Sequence, residues 1–109
     1  MDFKEYQKSA MVTKKKYENT KDQIVNSLLG MSGEVGEIHE TFKKHYSVGR
    51  EINKDDLVKE IGDVLWYLAE MCDAFGFELE DCAVKNIAKL KARHGDSFSG
   101  SGDRSGEGC

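Results

Sequence analysis

The chain has 109 residues, 33% of them charged, with a formal net charge of −4 and no proline. That length fits one domain with a modest core, and the acidic balance argues against a duplex-binding protein, which carries a basic face. No apolar run approaches the roughly 20 residues that span a bilayer, and the N-terminal MDFKEYQKSA lacks the apolar centre of a signal peptide. The expectation is a cytoplasmic protein, with neither a membrane nor a nucleic-acid polymer among its partners. The cysteines, Cys72, Cys82 and Cys109, are odd in number and form no C-x-x-C. That pattern suggests neither a disulfide framework nor a zinc site, so Cys72 and Cys82 read as small buried hydrophobes.

Apolar residues recur at helical spacing along most of the chain, which predicts an all-α domain. Helix one is expected over about 3–15, with Phe3, Tyr6 and Ala10 inward. A polar break at 19–22 precedes helix two, expected over about 22–46. Its apolar stripe is Ile24, Leu28, Met31, Val35, Ile38 and Phe42. Gly49 marks the turn that follows. Helix three is expected over about 54–75, with Asn53 as N-cap, Asp55 and Asp56 in its first turn and Gly76 as its stop. Its stripe is Leu57, Ile61, Val64, Leu68, Met71 and Phe75. Helix four is expected over about 78–94, with Leu79, Ala83, Ile87 and Leu90 inward and Gly95 ending it. Four amphipathic helices with short connections suggest a four-helix bundle-like protomer over residues 1–95. The Gly/Ser-rich remainder, 96–109, reads as a flexible tail.

One pattern occurs twice. Helix two contains Glu34-Val35-Gly36-Glu37-Ile38, and helix three contains Glu60-Ile61-Gly62-Asp63-Val64. Residues i and i+3 share a helix face, so each helix presents two carboxylates side by side. At about 100° per residue, the first acid of each pair lies about 80° from the centre of its apolar stripe and the second about 140°. If the two helices pack as antiparallel neighbours, the pairs meet at one place. An interior helical glycine costs about 1 kcal/mol against alanine. Two glycines, each inside an acidic pair, imply close helix approach or room for an ion. Four gathered carboxylates raise one another's pKa or take up a cation. Mg²⁺ suits a site of carboxylates, waters and substrate phosphates, with Mn²⁺ as a substitute. A di-iron site would call for Glu-x-x-His, which is absent.

The segments SGEVGEIHETFKKH and LVKEIGDVLWYLAEM resemble the MazG-like branch of the all-α nucleoside triphosphate pyrophosphohydrolases. That family's signature is Glu-x-x-Glu, a spacer and Glu-x-x-Asp, here Glu34, Glu37, Glu60 and Asp63. EYQKSAM and KNIAKLKARH extend the resemblance over about residues 4–95. It implies Mg²⁺-dependent cleavage of a nucleoside triphosphate between the α and β phosphates, giving a monophosphate and pyrophosphate. It also implies a homodimer or homotetramer, intertwined, with sites near subunit interfaces. Glu34 or Glu37 would orient the attacking water as general base.

Asn86, Lys89 and Arg93 fall on one edge of helix four, suited to a triphosphate, and the resemblance supports Asn86 and Lys89 there. On pattern alone an ordinary solvated edge accounts for them equally well. Lys43 or Lys44 could bind phosphate, and Tyr67, four residues after Asp63, could stack on a base. For Tyr67 and Trp66 plain packing is the alternative, and Trp66 is expected to point away, toward a subunit interface. His39, His45 and His94 read as surface or capping residues, and Lys14-Lys15-Lys16 as a solvated helix end. Two other readings stay open. One is a dUTPase-like or phosphoribosyl-ATP-hydrolysing member of the same superfamily. The other is a non-catalytic helical interaction module with an acidic face.

Overall fold

The computed structural model describes residues 1–95. It is all-α, with α1 (Phe3–Met11), α2 (Thr20–Val48), α3 (Lys54–Phe75) and α4 (Leu79–His94), and no strand among the described residues. The expected tail, 96–109, and Cys109 with it, lie outside the described residues. The chain divides into two compact units, Met1–Leu79 and the part from Glu80 onward. No described helix is long and apolar enough to cross a membrane.

The helix ends follow local chemistry. Asn19 and Asn53 cap α2 and α3, their side-chain oxygens accepting from the Asp22 and Asp56 amides at 2.9 and 3.1 Å. Each bond satisfies one of the amides a helix start leaves without a partner. Gly49 and Gly76 close the same helices with φ of 73° and 79°, a conformation that glycine reaches without a Cβ clash. Helix one is shorter than expected, ending at Met11 rather than near residue 15. The Thr13 hydroxyl donates to the Ala10 carbonyl at 2.7 Å, and the chain leaves the helix there. Lys14 is consequently not a solvated helix end. Its ammonium reaches Asp73 on α3 at 2.7 Å.

In the first unit α2 packs on α3, and α1 packs on α3 as well. The α2–α3 seam is polar, and in this respect the periodicity misled. The facing positions are Gln23, Ser27, Gly30 and Glu34 on α2 and Asp63, Tyr67, Glu70 and Asp73 on α3. Gln23 Nε2 donates to the Glu70 carbonyl at 3.1 Å and to Asp73 at 2.9 Å. Ser27 Oγ donates to the Glu70 carboxylate at 3.0 Å, and Gly30 lies against the Tyr67 ring. As one helix advances the other recedes, so the pair is antiparallel. The apolar stripes are only partly covered: Leu28 and Val35 are each 51% exposed and Ile61 54%, while Ile24, Met31, Ile38, Leu57, Val64 and Met71 are half-buried. The fully enclosed apolar residues are small, chiefly Ala69 and Cys72, with Leu79 joining them beside Tyr6, Met11 and Leu65. Cys72 is buried as expected, whereas Cys82 is exposed.

Lys14 tests the polar fastening. Its ammonium, followed by Gln23, holds the Asp73 carboxyl below its usual value against the opposing effect of burial. A lowered folded-state pKa supplies stability above the ordinary carboxylate value that is lost as pH falls through the folded value. Both side chains are about a third exposed, so screening keeps the effect small. Lys14→Met should cost about 1 kcal/mol at neutral pH. In denaturant titrations the difference should shrink as pH falls below the ordinary carboxylate range and Asp73 takes up its proton.

The second unit presents α4. Asn86, Lys89 and Arg93 are all exposed on it. Ile87, expected inward, is 42% exposed and lines a shallow groove with Ala83, Val84, Ala88 and Lys91.

Candidate functional site

The acidic pairs occupy the continuation of the same seam. Glu34 is one helical step beyond Gly30 and faces α3 near Asp63 and Glu60. Glu34 and Glu60 are half-buried, while Glu37 and Asp63 are exposed. The four carboxylates share one field. Glu34 is pushed up to about 7 from 4.5, first by its hydrogen bond with the Glu37 carboxyl, then by burial, then by the charges of Glu37, Asp63 and Glu60. Its Oε2 is enclosed and has no hydrogen-bond partner. A buried oxygen without a partner is costly. Tyr6 of α1 also senses the site: burial pushes its phenol up, and the Asp63 charge adds to this.

Beyond Glu37 and Glu60 the helices separate into a cleft of 720 Å³. Glu37, Glu40, Thr41 and Lys44 line it from α2. Asp56, Glu60 and Asp63 line it from α3, and Arg50, Glu51 and Asn53 complete it around the connecting turn. Six carboxylates therefore meet two cations, Lys44 and Arg50. A smaller pocket of 350 Å³ adjoins Asp63 and is lined by Glu34, Trp66 and Tyr67.

The structure places Glu34, Glu37, Glu60 and Asp63 in one region, close enough for the other three to act on Glu34. Of the two lysines that close α2, Lys44 lines the cleft, whereas Lys43 reaches back to Glu40 at 4.0 Å. Tyr67 lines the smaller pocket. Asn86, Lys89 and Arg93 belong to the other unit and stand on α4 by themselves. Trp66 does not point away from the site. Its indole N–H donates to the Ala10 carbonyl at 3.2 Å and to the Thr13 hydroxyl at 3.0 Å, and its ring meets Tyr67 edge-on at 5.1 Å. The close-approach reading of the glycines moves to Gly30. A Cβ at Gly33, Gly36 or Gly62 would meet nothing, so these positions leave open space beside the acids. Arg50 escaped the sequence reading because nothing in its neighbours marks it. It is placed by the turn at Gly49 and by the His45 ring, whose Nδ1 lies 2.8 Å from the Arg50 carbonyl. His45 is thus a capping residue, as expected.

The donor set fits a hard divalent cation: oxygens only, gathered from two helices, one of them buried and without a partner. Among the described residues no three or more His, Cys, Asp and Glu groups are already drawn together as a metal cage.

The fold and site define an all-α protein whose two longest helices set paired carboxylates against each other along one seam. A family model, described as MazG nucleotide pyrophosphohydrolase domain, matches residues 23–98. The Gene 37 protein of Mycobacterium phage L5 is 36% identical over 80 residues, covering 69% of this chain and 70% of that protein. No solved structure matches the chain significantly. The chain belongs to the MazG nucleotide pyrophosphohydrolase family.

Proposed function

We propose that the protein hydrolyses a nucleoside or deoxynucleoside triphosphate to the monophosphate and pyrophosphate, using Mg²⁺, in the upkeep of the nucleotide pool. The observation that carries this reading is the meeting of Glu34, Glu37, Glu60 and Asp63 across the antiparallel seam, at the mouth of a cleft whose cations are Lys44 and Arg50. Those four carboxylates would hold Mg²⁺, or Mn²⁺ in its place. The metal, when bound, neutralises phosphate charge and acidifies an attacking water. The chain's own residues supply position and charge, which dominate phosphoryl-transfer catalysis. Glu34 or Glu37 accepts the proton of the water that attacks the α-phosphorus. Lys44 and Arg50 meet the departing pyrophosphate oxygens, and Tyr67 beside Trp66 offers an aromatic wall for the base. Asn86 and Lys89 are assigned to the substrate on the family resemblance, and Arg93 on its place along the same edge of α4. The exposed stripes containing Leu28, Val35 and Ile61 support association of copies into a homodimer or homotetramer, since isolated domains seldom leave long apolar faces uncovered. A cytoplasmic location suits such a substrate.

The test is pyrophosphate release from a panel of canonical and modified triphosphates, with Mg²⁺ or with a chelator. Mg²⁺-dependent release supports the reading and names the substrate. No release from any of them, with no Mg²⁺ effect on melting, refutes it. Within the same panel Arg50→Gln should raise KM about tenfold, the effect of losing one charge-assisted phosphate contact.

A further inference from the structure

Glu70 is fully enclosed, at 0% exposure, and has no place in the proposed chemistry. Its Oε2 accepts from the Tyr17 hydroxyl at 2.6 Å. Its Oε1 accepts from Asn26 Nδ2 and from Ser27 Oγ, both at 3.0 Å. The donors come from α2 and from the loop before it, while Glu70 comes from α3. The group therefore spans the contact on which the acidic site is built.

Its place in the seam gives it a consequence at a distance. Glu70 is seven residues after Asp63 on α3, and Ser27 is seven residues before Glu34 on α2, so each pair shares a helix face. Along antiparallel helices the Ser27–Glu70 contact and the Glu34–Asp63 opposition are two rungs of one ladder, about 10 Å apart. Whatever holds the first rung holds the second.

We propose that Glu70 is a positioning residue: its buried bonds to Tyr17, Asn26 and Ser27 lock the register of α2 on α3 and so decide which carboxylates face each other. One turn away Gln23 adds its bonds to the Glu70 carbonyl and to Asp73. Toward the acids the seam relies on the contact of Gly30 with the Tyr67 ring, and the four acids repel. A buried carboxylate with directional donors tolerates no slip of one turn, because the slip would strand it without partners. A single buried polar residue that sets helix register is a known use of such groups. The functional half of this inference rests on the metal-site reading, but the register itself does not.

The experiment uses the full chain with its native cysteines replaced and spin labels at Lys21→Cys and Lys59→Cys, both on exposed positions of α2 and α3. It compares native Glu70 with Glu70→Gln, Tyr17→Phe/Ser27→Ala, and the apolar triple Tyr17→Phe/Ser27→Ala/Glu70→Leu. Label-to-label distance reads the register, Mn²⁺ titration reads the site, and melting reads stability. The triple variant should melt near the parent, as apolar replacements of buried charged groups often do, because the amide of half-buried Asn26 can turn to water. It should also show a second distance population displaced by about 5 Å, one helical turn. Its Mn²⁺ affinity should fall about tenfold or more, the usual effect of losing the support of a metal site. Glu70→Gln keeps one acceptor oxygen for Asn26 and Ser27 and turns an N–H toward the Tyr17 hydroxyl, which can rotate to accept it, so this variant should keep both parent values. A folded triple variant with one unchanged distance and parent affinity overturns the proposal. If the triple does not fold, the double variant decides in the same way, with a graded loss expected and parent values overturning. A parent that binds no Mn²⁺ refutes the metal reading, while the distances still decide the register.

Discussion

Glu37→Gln and Asp63→Asn should each lower kcat/KM for the triphosphate about 10³-fold, equivalent to about 4 kcal/mol of transition-state stabilisation. In a chelator the same variants should melt higher than the parent. The two effects have one cause. On the proposed metal site the carboxylates gather around a cation, and without one they repel. Removing one charge should recover about 1 kcal/mol, since two of the four are exposed and solvent screens them. Pyrophosphate release with Mg²⁺ and thermal melting without it are the two measurements. A catalytic loss accompanied by a fall in chelator-treated stability would mark these acids as structural.

The pH dependence of the metal-free protein follows from Glu34. Its pKa is raised to about 7 from 4.5. A raised folded-state pKa contributes stability that is fully present below the unfolded value and is lost as pH rises through the folded one. The metal-free protein should therefore lose stability between pH 4.5 and about 7, and Glu34→Gln should remove that slope. Binding a cation must displace the same proton, so stabilisation by Mg²⁺ should grow over the same window.

Local signals were legible in the sequence. The caps Asn53, Gly49 and Gly76 needed only their neighbours, and the acids only the three-residue spacing within each pair. The face on which α2 and α3 meet was not legible. An apolar stripe and the polar row beside it share the helical period, and the apolar one is the default choice for a buried face. Here Gln23, Ser27 and Glu70 of the polar row are buried, while Leu28 and Val35 of the stripe are half exposed. Glu70 was missed for the same reason. A lone glutamate on a helix reads as surface, and its partner Tyr17 lies 53 residues earlier. Arg50 was missed because only the cleft gives it a role.

Gly30→Ala should be the most disruptive single-methyl change in the first unit. A Cβ there would clash with Cε1 and Cζ of the Tyr67 ring and lie 2.7 Å from Cδ1. An aromatic ring is not the loose end of a flexible chain and has to move as a body. Tyr67 also has Trp66 edge-on at 5.1 Å, itself tied to Ala10 and Thr13, so its retreat is blocked on that side. Either α2 lifts from α3 or the ring swings into the pocket it shares with Glu34 and Asp63. Overpacking of this kind costs about 1–3 kcal/mol, and the confinement of the ring puts this case at the upper end. At about 4–8 °C per kcal/mol for a chain of this size, the melting temperature should fall by more than 10 °C, roughly. Tyr67→Leu removes the ring, so in that background the alanine should cost less than about 1 kcal/mol. A double-mutant cycle measured by denaturant unfolding gives the coupling directly. Equal costs in both backgrounds would show that Gly30 matters for the helix backbone rather than for its fit to Tyr67. Because the seam carries the acids one step further on, the single variant should also weaken Mn²⁺ binding, and the double variant should restore it.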